Sequence, residues 1–74
     1  MATTISTRPT DNRFVGNKDP NHTEVHDLTN ESGNCQIDEI ISAGNGVVFS
    51  PDTLDQAHSE DYDNCSWCLG GSAR

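Results

Sequence analysis

The sequence predicts a small α+β domain of order β-β-α-β-α, stapled by zinc and closed by a C-terminal C-x-x-C knuckle. Three observations predict it. Only 31% of the 74 residues are hydrophobic, whereas an average soluble domain is about 45–50% apolar with glycine counted. A chain this short and polar buries too little to hold itself shut on a core alone. Cys35, Cys65 and Cys68 supply thiols for a staple, the last two as Cys65-Ser66-Trp67-Cys68. Short apolar runs at strand and helix spacing alternate with turn-rich segments between Phe14 and Tyr62.

The elements follow in order. Residues 1–12 are rich in Thr, Asp and Asn and carry little to bury, so they read as a disordered leader. The module is expected over 13–69, with 70–74 as a flexible tail. Phe14-Val15-Gly16 is a first strand, and Asn17-Lys18-Asp19-Pro20-Asn21 is dense in turn formers. Thr23 to Leu28 is a second strand, making a hairpin with a loose loop. Thr29 to Asn34 is a polar loop. Ile37, Ile40 and Ile41 then fall at helical spacing, with Asn34 expected as N-cap and Gly44 as the stop. Val47-Val48-Phe49 is a third strand. Ser50-Pro51-Asp52 is expected to open a second helix, with Ser50 as N-cap and Leu54, Ala57 and His58 on the inner face. Tyr62 leads into the cysteine turn.

An odd number of cysteines, with no apolar signal segment over Met1–Pro9, points to reduced thiols in a cytoplasmic protein. Two residues between cysteines let both thiolates face one ion, and a closed structural zinc site needs four donors. Cys35, Cys65 and Cys68 give three. A histidine is expected to give the fourth, and spacing ranks His26 on the second strand ahead of His58 on the second helix and His22 in the loop. A thioredoxin-type redox pair is the alternative, but it requires a βαβ setting that this pair lacks. Iron is the alternative metal, although a thiolate-rich tetrahedral set favours zinc.

These residues carry a resemblance. Phe14-Val15-Gly16-Asn17-Lys18, Val25-His26, Cys35, Val47-Val48-Phe49, Thr53-Leu54-Asp55-Gln56-Ala57 and Asp61-Tyr62-Asp63-Asn64-Cys65-Ser66-Trp67-Cys68 resemble the Ada-type metal-binding module. That likeness implies the fold, the metal and His26 as the first ligand. It does not carry over the methyl-acceptor chemistry of the DNA-repair members. Their first ligand is a thiolate, and here it is His26, whose imidazole cannot play that part. Eight residues also separate His26 from Cys35, more than the module usually places there.

Charge narrows the function. Four Lys and Arg against twelve Asp and Glu leave −8, which opposes binding to a phosphate backbone or an anionic membrane. No apolar run approaches the ~20 residues that span a bilayer. No Ser-His-Asp set, phosphate-cradling loop or H-E-x-x-H appears, so no enzyme is expected. The one hydrolase arrangement the residues allow is a three-cysteine site with Glu24 or Asp27 nearby. The expected function is a monomeric zinc module that binds another protein, with Trp67 and Leu69 as contact residues. An acidic nucleic-acid mimic occupying a basic protein groove is the alternative.

Overall fold

The computed structural model describes residues 2–30, 33–65 and 69. Among the described residues, five strands form one mixed sheet, with two short α-helices. Strand β1 is Ala2–Thr4, β2 is Phe14–Asn17, β3 is Glu24–Asp27, β4 is Gly46–Phe49 and β5 is Asp63–Asn64. Helix α1, Ile37–Ser42, precedes β4, and helix α2, Leu54–Ser59, follows it. The spatial order is β1-β4-β2-β3-β5. All neighbours are antiparallel except β3 and β5, which run parallel with Val25 opposite Asn64.

The expected hairpin is β2 and β3, with Val15 opposite His26 and Phe14 opposite Asp27. Its loop turns on Asp19, whose carbonyl accepts from His22 N and Thr23 Oγ1, both at 2.9 Å. Two strands go beyond the expected order. Ala2–Thr4, placed by the sequence in a disordered leader, forms an edge strand with Ala2 opposite Phe49 and Thr4 opposite Val47. It is mostly exposed, so its pairing rests on backbone hydrogen bonds and left no apolar signal. Asp63–Asn64 is likewise too short and polar to show strand alternation.

Strict alternation along the strands divides the core between the two faces of the sheet. Phe14, Val25, Val47 and Phe49 meet Ala57 and Tyr62 on one face. Val15 meets Cys35, Ile37, Ile41 and Cys65 on the other, with Ile5, Leu28 and Val48 packed at the margin. Phe49 and Tyr62 contact edge to face at 5.0 Å. Their rings lie over Gly16: a β-carbon there would come within 2.6 Å of the Phe49 ring and 2.8 Å of Tyr62. Glycine is therefore required by close approach rather than by backbone conformation.

The helix ends are built differently from the expected caps. Helix α1 is preceded by Gln36 in the left-handed region (φ 53°, ψ 45°), with no side-chain cap, so Asn34 is not the N-cap. Its other end follows the expectation. Gly44 at φ 82° closes it, with Gly44 N donating to Ile41 O and Asn45 N to Ile40 O, the paired bonds of a Schellman motif. Helix α2 is capped by Thr53, whose side chain accepts from Gln56 N at 3.1 Å. Ser50 and Pro51 lie before that cap, joined by a cis peptide bond. Asp52 is drawn away from the helix and accepts from Arg13 N at 2.6 Å and Phe14 N at 3.0 Å. One carboxylate thus ties the approach to α2 onto the start of β2.

A second carboxylate fixes the far end of the hairpin. Asp27 is 3% exposed and accepts from the Arg13 guanidinium at 2.9 Å, from Thr29 N at 2.9 Å and from Thr29 Oγ1 at 2.6 Å. Burial alone would raise its pKa. The bonds from Arg13 and Thr29 outweigh burial and hold it below the ordinary carboxyl value of 3.8.

Two outcomes follow. Gly16→Ala should destabilise the fold by about 1–3 kcal/mol, the usual cost of overfilling a packed site, read as a lower urea midpoint. Asp27 holds its proton less tightly folded than unfolded, so its stabilisation is complete above the ordinary carboxyl value and lost as pH falls through the folded one. Asp27→Asn should cost about 1–3 kcal/mol at pH 7 and flatten the acid limb of a stability–pH curve.

Candidate metal centre

Three separate segments deliver the donors. His26 is central in β3, and alternation turns it to the α1 face, opposite Val15. Cys35 ends a 3-10 turn, Gly33–Cys35, just ahead of Gln36 and α1. Cys65 follows β5, and its N–H donates to Val25 O at 3.1 Å, which seats it beside the β3 backbone next to His26. The parallel pairing of β5 with β3 is thus what carries the third donor to the first.

The three side chains are buried, at 3%, 4% and 1% exposure in chain order. Their donor atoms all lie within 4.8 Å of one another, close enough to bind a metal ion. Cys35 Sγ and Cys65 Sγ are 3.8 Å apart, far beyond the ~2.05 Å of a disulfide. Two thiolates each ~2.3 Å from one tetrahedral ion stand ~3.8 Å apart, so the sulfur pair already has the spacing of shared coordination. Burial lowers the His26 pKa to about 4. At neutral pH its imidazole is uncharged and has a lone pair to donate.

Neither of the other histidines belongs to the cluster. His58 Nε2 lies 2.8 Å from Asn64 Oδ1, which commits that ring to joining α2 and β5 on the opposite side of the sheet from His26. His22 is exposed at the rim of a cavity of about 210 Å³, which is also lined by Glu24, Gln36 and the three donors. Glu24 therefore faces the same space as the donor cluster, while Asp27 is engaged by Arg13 and Thr29.

Cys68 and Trp67 lie outside the described residues. Leu69 is half-buried and packs against both halves of the core, so it is placed as a packing residue more than as a surface contact. Its N–H donates to Cys65 O at 2.9 Å. Gln36 went unnoticed in the sequence. Its left-handed backbone links Cys35 to α1, and no composition signal marks a glutamine for that role.

No protein-family model, curated protein or solved structure matches this chain. The Ada-type likeness therefore rests on the quoted residues alone. Among the described residues, no helix is long and apolar enough to cross a membrane.

Cys35→Ser and His26→Ala should each weaken metal affinity by more than the ~10–100-fold that follows loss of an outer partner, measured by competition with a chromogenic chelator. His58→Ala, which removes a ring bonded to Asn64 and no member of the cluster, should cost far less affinity than either. The reverse ranking would remove His26 from the centre.

Proposed function

We propose that this chain is a structural zinc module of the Ada type, held by His26, Cys35, Cys65 and Cys68, that binds another protein. The observation carrying the reading is the buried His26–Cys35–Cys65 cluster with its 3.8 Å sulfur pair. Cys68 as fourth donor is supported by the C-x-x-C spacing and by the return of the chain from Leu69 N to Cys65 O. Three thiolates and an imidazole suit a tetrahedral ion and favour zinc over the oxygen-preferring metals. A structural zinc adds apparent binding free energy of about 10–16 kcal/mol in small peptides, a large contribution beside a core split into two small clusters.

The methyl-transfer activity of the DNA-repair members is not part of the reading, because the first position is His26. A charge of −8 turns the chain away from nucleic acid and toward protein partners. The fourfold donor set leaves no open position for water, in keeping with a structural rather than a hydrolytic centre.

Metal analysis of the purified protein is expected to find about one zinc per chain, the stoichiometry of a single closed site, and a strong chelator should collapse the dispersed amide spectrum. Iron in place of zinc, or a spectrum indifferent to chelator, would overturn the reading. Partner binding is expected to survive ~0.5 M salt, at which exposed charges are strongly screened. Binding lost over that range would instead mark an acidic mimic.

A further inference from the structure

We propose that Cys35 and Cys65 form an oxidation site, at which a peroxide converts the metal-binding thiol pair into a disulfide that replaces the ion as the tie between the same two segments. The release of metal rests on the zinc reading above; the disulfide itself rests on the sulfur geometry alone.

Three features support the choice of pair. The two sulfurs are 3.8 Å apart and belong to segments 30 residues distant in sequence. Closing them to a bond of ~2.05 Å requires under ~2 Å of movement, shared between two side chains. Both cysteines also line the cavity of about 210 Å³, a space with room for a molecule of peroxide size. The link runs from the segment before α1 to the residue after β5, the same bridge that shared coordination makes.

The chemistry balances with hydrogen peroxide as the oxidant. One thiolate attacks a peroxide oxygen; the O–O bond breaks, leaving a sulfenic acid and hydroxide, which takes up a proton as water. The second thiolate attacks the sulfenic sulfur, the S–S bond forms, and a second hydroxide leaves and is protonated. Each sulfur loses one electron overall, and the peroxide gains two. The ion then keeps only His26 and Cys68, too few for tight binding, and dissociates.

The test treats the purified, metal-loaded chain with hydrogen peroxide. Released metal is followed with a chromogenic chelator, and disulfides are mapped by mass spectrometry after cleavage at acidic residues. The expected result is loss of about two thiols and release of about one ion per chain, with the Cys35 and Cys65 peptides cross-linked. The oxidised protein should keep a dispersed amide spectrum in chelator, where the reduced protein loses it. Cys68→Ser retains the pair and should form the same cross-link.

A Cys65–Cys68 link in the wild type, sulfonic acids without a cross-link, or collapse of the oxidised protein would overturn the proposal. A chain purified without metal that still cross-links Cys35 to Cys65 would support the oxidation site while sinking the zinc reading.

Discussion

The meeting of His26, Cys35 and Cys65 on one face of the sheet is the constraint on which the remaining architecture depends. Without those three residues, the buried aliphatic side chains on the α1 side of the core are, among the described residues, Val15, Ile37 and Ile41. The donors are therefore not an addition to a finished core. Cys35 and Cys65 belong to its buried cluster, and their sulfur atoms serve as packing groups as well as candidate ligands. The opposite face, built from Phe14, Phe49, Tyr62 and their neighbours, packs in the ordinary aromatic and aliphatic manner.

Two carboxylates arrange the frame around this centre. Asp52 holds the backbone of Arg13 and Phe14 from the loop before α2, and Asp27 holds the Arg13 side chain from the end of β3. Both act on the entry to β2, the central strand against which β3 and β4 align. Fixing β2 fixes the register of β3, and that register sets which face His26 occupies, since a one-residue slip would turn it to the other side. Polar contacts at one end of the sheet thus govern the geometry of the His/Cys cluster on its face.

Much of this was legible in the sequence, for identifiable reasons. The central strands announced themselves through β-branched and aromatic runs, and α1 through the spacing of Ile37, Ile40 and Ile41. Gly44 marked its end because a left-handed stop favours glycine. The meeting of His26, Cys35 and Cys65 was readable because thiols and an imidazole in a poorly cored chain have few other uses. The edge strands were not readable, because Ala2–Thr4 and Asp63–Asn64 pair through the backbone and bury little. The start of α2 was misplaced because Ser50-Pro51-Asp52 has the composition of a helix entry, whereas Asp52 is taken by Arg13 and Phe14, leaving Thr53 to cap. Gln36 escaped notice because its backbone is imposed by tertiary context.

The parallel alignment of β5 on β3 has a consequence for biosynthesis. The ribosome delivers residues 26 and 35 early, together with β2, α1 and β4, but the second sulfur of the cluster arrives only once residue 65 has emerged. Until then the chain offers at most two of the three clustered side chains. Completion of the cluster is thereby delayed until every described strand and helix has been synthesised.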